Sequence, residues 1–137
     1  MWTSTGKASG NNTTMTWISL SIIIALLLAL LWFKRGATIS SKAAADYLRG
    51  GALVIDVRSA GEFTAGHLPK AVNIPLSEIE TVITRKVSSK DRVLLLHCQS
   101  GMRSGQAVSK LKALGYANAF NLGSYGRAAE ILKHHTH

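Results

Sequence analysis

The sequence contains a single cysteine, Cys98. No intrachain disulfide can form, so the fold must stand on its core. Acidic residues are also scarce: 7 Asp and Glu stand against 16 Lys and Arg, for a net charge of +9. Such a balance suits nucleic acid, an anionic membrane surface or small anions. The basic residues are scattered rather than massed, and no basic stripe interleaved with aromatics is present. Nucleic acid is therefore not an expected partner. Internal repeats are absent as well. From Ala8 to Phe33 there is no charged residue of either sign.

That uncharged stretch contains the apolar run Trp17 to Phe33. With Met15 and Thr16 it approaches the roughly 20 residues that cross a hydrocarbon core. Trp17 and Trp32 bracket it, at the depth where amphipathic rings prefer to sit. Lys34 and Arg35 follow at once. A cleaved signal would need a charged start and a small-x-small site after the run; Leu31-Trp32-Phe33 is too bulky for that. The sequence predicts an uncleaved transmembrane helix over 15–35, with the lipid bilayer as its partner. A disordered, Thr/Ser/Gly/Asn-rich tail is expected over 1–14. Lys34, Arg35, Lys42 and Arg49 on the C-terminal flank outnumber Lys7 and the amino terminus. The positive-inside rule then places the globular part, 36–137, in the cytoplasm, with a periplasm-facing domain as the alternative.

Beyond Lys34 the chain is mixed and turn-rich. Ser40 or Ser41 caps a helix over Lys42 to Arg49, ended by Gly50-Gly51. Leu53 to Val57 is a short apolar run typical of a strand buried on both faces. Ser59 to Glu62 has the capping-box spacing, as does Ser77 to Glu80, so each opens a helix. Ala71 to Ile74 is a second strand, closed by Pro75. Arg92 to His97 is the most apolar strand and the expected centre of the sheet. A helix follows over Ser104 to Leu114, then a strand over Ala119 to Leu122 and a helix over Ser124 to Lys133. Alternation of this kind predicts an α/β fold: a parallel sheet with helices on both faces.

Cys98 falls where the central strand ends and a helix begins. Ligands of open α/β sheets bind at that edge, where loop amides and a helix N-terminus direct positive dipole outward. Such surroundings favour the thiolate, the reactive form of cysteine. Gly101 lets the backbone curl so that amides converge. Arg103 can add a fixed charge. The alternative is an inert buried cysteine at a strand end; the polar, Gly-bearing turn that follows is more than such a site needs. His97 invites a Cys–His pair, but neighbours along a strand face opposite ways. Asp56 is read as tying down backbone at a strand end, and His67 as fixing a turn.

Cys98-Gln99-Ser100-Gly101-Met102-Arg103-Ser104 resembles the active-site loop of single-domain rhodaneses, C-x-x-G-x-R-S. Asp56-Val57-Arg58, Glu62-Phe63, Gly66-His67-Leu68-Pro69, Ala71 and Asn73-Ile74-Pro75 resemble the upstream signature of the same family, in the same order. The resemblance covers roughly Ile39 to Lys133. It implies a sulfurtransferase with Cys98 as nucleophile. Gln99, Ser100, Gly101, Met102 and Arg103 would form the substrate loop, and Arg58 would either help bind an anionic donor or pair with Glu62. Thiosulfate is the implied kind of donor, with cyanide or a thiol as acceptor. No metal or organic cofactor is implied.

Two rivals remain at this point. Rhodanese-fold phosphatases also use Cys and Arg around an amide-lined loop, but theirs is C-x5-R, and Cys98 to Arg103 is one residue shorter. A non-catalytic rhodanese scaffold is the other; such modules often lack the cysteine. The chain departs from the family near its end, where L-x-G-G-x-x-x-W is common and Leu122-Gly123-Ser124-Tyr125-Gly126-Arg127-Ala128 stands instead. That departure bears on the wall of the pocket, and through it on the substrate.

Overall fold

The computed structural model describes Met1, residues 12–35 and residues 37–135. Most of the expected tail, residues 2–11, lies outside the described residues. The chain divides into two units, Met1–Phe33 and Lys34–His137.

The first unit is a helix, α1 (Asn12–Arg35), which continues two residues past the unit boundary. Every side chain described along it, from Met15 to Leu31, is exposed. Its polar groups turn inward on the helix: Ser19 Oγ donates to the Met15 carbonyl (3.0 Å) and Ser21 Oγ to the Ile18 carbonyl (2.8 Å). Among the described residues no helix is long and apolar enough to cross a membrane. The transmembrane expectation over 15–35 is therefore not shown by the structure. Its last part, Trp32 to Arg35, falls where side chains lie outside the described set.

The second unit is a four-stranded parallel sheet in the order β2-β1-β3-β4, with β1 (Leu53–Asp56), β2 (Val72–Asn73), β3 (Leu94–Cys98) and β4 (Ala119–Ser124). Among the described residues five helices and one short turn accompany them: α2 (Ser41–Arg49) before β1, α3 (Ala60–Ala65), α4 (Ile79–Lys86) and α5 (Met102–Ala113) between strands, α6 (Tyr125–His135) after β4, and a 3-10 turn over Leu76–Glu78. The expected α/β class and the central place of β3 are both observed.

Alternation along the strands sorts the core into two layers. Ile55, Leu94, Leu96 and Cys98 point to one face, where Ile79 and Ile83 of α4 and Ala107, Val108 and Leu111 of α5 cover them. Val54 and Leu95 point to the other, under Ala44 of α2 and Ala128 and Ile131 of α6. All five residues of β3 are buried, as a strand covered on both faces requires.

Local signals are largely realised. Ser40 caps α2, its Oγ accepting from the Ala43 amide at 3.2 Å. Ser59 and Glu62 form the expected capping box on α3. The second expected box, Ser77 to Glu80, does not form. Pro75 instead leads into the 3-10 turn, and α4 begins at Ile79 with no side-chain cap. Glu80, freed from capping, pairs with Lys110 of α5 at 2.5 Å. The helix after Cys98 begins at Met102, two residues ahead of the expected Ser104.

Candidate active site

The site is built on the end of β3. Cys98 is the last residue of that strand and fully buried. Gly101 follows with φ +94, a left-handed conformation that costs a side-chain-bearing residue about 1–2 kcal/mol. This single bend turns the chain from strand into α5. No side chain caps α5 at Gly101. The sulfur takes that place: the Gly101 amide donates to Cys98 Sγ at 3.0 Å, and Ser104 Oγ lies 3.6 Å from it.

Burial pushes the Cys98 thiol up. The Ser104 hydroxyl and the amides of Ser104, Gly101 and Ser100 oppose it and prevail, so its pKa lies below the ordinary thiol value. Hydrogen bonds to an ionised group are the stronger kind, which is why several can outweigh desolvation.

The loop residues divide by exposure. Gln99, Ser100 and Met102 are exposed, whereas Gly101 and Ser104 are buried. Arg103 directs its guanidinium to a carboxylate. Its Nη1 and Nη2 donate to Glu62 Oε2 (2.7 Å) and Oε1 (2.9 Å) of α3. Arg58 takes a partner that the sequence reading did not assign to it. Its pair with Glu62 is absent; it is bound two-pronged to Asp56, with Nε to Oδ1 at 3.0 Å and Nη2 to Oδ2 at 2.7 Å. Nη2 also donates to the Gly66 carbonyl at 2.8 Å. The guanidinium is buried and lies 4.6 Å from the centre of the Tyr125 ring. Asp56 ties down backbone as expected, accepting from the Arg58 amide at 2.9 Å.

His97 faces away from Cys98, edge-on to Tyr125. Its ring nitrogens are buried with no hydrogen-bond partner, and Nε2 is 3.8 Å from Asp56 Oδ2. Burial lowers its pKa, so the ring is neutral and makes no ion pair. The Cys–His pair is absent because the strand still alternates at these two residues. His67 stacks on Phe63, its Nδ1 3.1 Å from the Phe63 carbonyl, and so fixes the turn as read.

Two contributors escaped the sequence reading as site residues. Asn121 of β4 is buried behind the loop, its Nδ2 donating to the Gly101 carbonyl at 3.1 Å. Its only signal is a polar residue inside an otherwise apolar strand. Gly123, at φ +102, packs against Gly101: a Cβ on Gly101 would stand 3.3 Å from Gly123 Cα. Asn121 pairs beside Leu96, and a register shift between Leu96 and His97 then sets Gly123 beside His97. The glycine that this chain keeps from the family's late glycine pair is the one that meets the active-site loop.

The order of these features along the chain, and the amide-lined turn at Cys98, match one family. Residues 40–126 match the rhodanese-like domain. The chain belongs to the rhodanese-like domain family. Among curated relatives, thiosulfate sulfurtransferase PspE of Escherichia coli (strain K12) is 36% identical over 50% of this chain and 66% of its own length. The thiosulfate:glutathione sulfurtransferase of Homo sapiens is 37% identical over 56% of this chain and 77% of its own. A solved rhodanese from E. coli with bound anions superposes with a TM-score of 0.54 at 33% identity, covering 56% of this chain and 89% of that one. A human single-domain sulfurtransferase gives 0.58 at 33% identity, over 68% and 95%. The chain spans about two thirds of the bacterial relative's length. This rhodanese-like domain therefore has named sulfurtransferases as relatives.

Proposed function

We propose that this rhodanese-like domain is a sulfurtransferase in which Cys98 carries sulfane sulfur as a persulfide. The observation that carries the reading is the Gly101 amide aimed at Cys98 Sγ at 3.0 Å, within a turn whose amides lower the thiol pKa. The Cys98 thiolate attacks the outer sulfur of a donor such as thiosulfate. A bond forms between the two sulfurs, the donor's own S–S bond breaks, and sulfite leaves with the electron pair. A thiolate or cyanide acceptor then attacks the outer sulfur of the persulfide. Cys98 departs as thiolate, and the acceptor leaves as persulfide or thiocyanate. Charge sits on sulfur in every resting state, so one set of loop amides serves both halves. Gln99, Ser100 and Met102, the exposed residues of the loop, are where donor and acceptor would approach. An open groove of about 430 Å³, which reaches the loop at Arg103 and is lined also by Val57, Ser59, Pro75, Leu76, Ser77 and Lys110, gives an acceptor room.

Incubation of the full chain, in detergent, with thiosulfate should add one sulfur atom to Cys98, read by intact mass. Cyanide or a thiol should remove it. Cys98→Ser should load no sulfur while remaining folded; sulfur gained by that variant would end the relay.

A membrane tether is part of the same proposal. It rests on the uncharged run from Ala8 to Phe33 and on the Lys34-Arg35 stop that follows. We place the domain on the cytoplasmic side, where those cations meet anionic lipid at about 1 kcal/mol each. Protease added to intact spheroplasts of bacteria producing the chain should leave the domain protected. Digestion would put it on the periplasmic side. Extraction of the chain by carbonate wash would remove the tether altogether.

A further inference from the structure

Asn121 sits one strand away from Cys98 and contacts no reacting atom. Its amide nevertheless holds three parts of the site together. Oδ1 accepts from the Gly123 amide at 2.9 Å and from Ser104 Oγ at 2.7 Å. Nδ2 donates to the Gly101 carbonyl at 3.1 Å. Asn121 is 3% exposed and Ser104 fully buried, so water does not compete for these bonds.

The Ser104 hydroxyl has one proton and three acceptors within reach: Asn121 Oδ1 at 2.7 Å, the Gly101 carbonyl at 3.0 Å and Cys98 Sγ at 3.6 Å. A hydroxyl donates to one acceptor at a time. With Cys98 as a thiol, the shortest bond holds the proton on Asn121. With Cys98 as a thiolate, the sulfur becomes the stronger acceptor. Rotation about the Ser104 C–O bond then delivers the proton to Sγ without moving a heavy atom. Asn121 Oδ1 is not stranded by that rotation, because the Gly123 amide still donates to it.

We infer that Asn121 is a positioning residue for the sulfur relay: it fixes Gly101 so that the loop amide meets Cys98, and it parks the Ser104 proton until the thiolate draws it. The inference rests on the proposed sulfur chemistry. The charged group that interacts with the sulfur is Arg103 of α5, itself paired with Glu62 of α3; Asp56 and Arg58 pair with each other at the end of β1. His97 faces the opposite layer, beside Tyr125 of α6.

Asn121→Asp keeps the shape, loses the donor to Gly101 and puts an anionic oxygen beside Ser104. In the full chain in detergent, the ultraviolet absorbance of the thiolate is followed against pH, with Cys98→Ser as the blank. The Asn121→Asp midpoint should move up by about one pH unit, and sulfur loading from thiosulfate at neutral pH should slow about tenfold. Loading should recover as pH rises, which a merely loosened fold would not do. The shift should be smaller in a Ser104→Ala background, where the parked proton is gone. Asn121→Ser, which keeps a donor and an acceptor, serves if Asn121→Asp does not fold, and must show an upward midpoint too. A folded variant with the parent's midpoint overturns the role of Asn121 even if the parent loads sulfur. A shifted midpoint in a parent that takes no sulfur overturns the relay and leaves the positioning intact.

Discussion

Arg103, the last member of the Cys98 loop before Ser104, is held by Glu62, 41 residues earlier, through two hydrogen bonds of 2.7 and 2.9 Å. Glu62 is also the third residue of the α3 capping box, accepting from the Ser59 amide at 3.0 Å. One carboxylate thus fastens the start of α3 to the start of α5. Arg103 is a buttress of the loop as much as a charge within it.

Arg103→Ala and Glu62→Gln should therefore impair sulfur loading to similar degrees, and the double variant should be little worse than either single one. Arg103→Lys should fall between, because an ammonium cannot make the fork. Loading rates of the four proteins check this; additive losses would mean that each residue acts alone. The pair also has a pH signature. The Arg103 guanidinium, and after it the Ser59 amide, hold the Glu62 carboxyl well below the usual carboxylate range. A depressed acid contributes stability above its unfolded pKa and loses it as pH falls toward the folded value. The gap in melting temperature between parent and Glu62→Gln should narrow as pH drops below about 4.

Gly101 and Gly51 both have positive φ, +94 and +85. A Cβ at Gly101 would press on the Gly123 backbone at 3.3 Å, while one at Gly51 would meet nothing within 4 Å. Gly51→Ala should cost about 1 kcal/mol of backbone strain and leave sulfur loading intact. Gly101→Ala should cost about 2–3 kcal/mol and suppress loading, since backbone cannot step aside as a side chain can. Thermal melts and loading assays of both variants make the comparison.

The Cys98 thiol, raised by burial and lowered further by its hydrogen bonds, ends below its ordinary value. Its share of stability is fully present above the unfolded thiol pKa, about 8.5, and declines as pH falls through the folded value. The stability difference between parent and Cys98→Ser should thus grow from neutral to alkaline pH. Denaturant titrations across that range test the sign; a difference that shrinks would mean an unstabilised thiolate.

The Asp56–Arg58 pair is buried, with side chains 0% and 7% exposed. Removing one partner strands the other, so Arg58→Ala should destabilise by about 3–5 kcal/mol. Next to it His97 is neutral, with burial lowering its pKa. The unfolded chain binds its proton first, so stability should fall as pH drops below about 6.5, the unfolded value. His97→Leu should flatten that slope and, having no polar nitrogens to bury, should not lower stability at pH 5. Melting temperatures of His97→Leu and parent across acid pH decide it.

The sequence by itself determined the element order, the parallel α/β class and the place of Cys98 at the turn from strand to helix. Each is written in signals that act within a few residues: apolar runs, the Ser40 cap, the Ser59–Glu62 box, and a glycine three positions after Cys98. The failed Ser77 box shows their limit, since Glu80 found a better partner in Lys110, 30 residues on. Only the tertiary structure decided which cation met which anion. Arg58 and Arg103 lie near Asp56 and Glu62 on adjoining elements, and spacing cannot say how four such groups pair. Asn121 joined the site through its pairing beside Leu96, and Gly123 through the one-residue shift in the pairing of β3 with β4 that follows. A register shift is fixed by packing against both layers of the core, and it leaves no mark on the residues that it brings together.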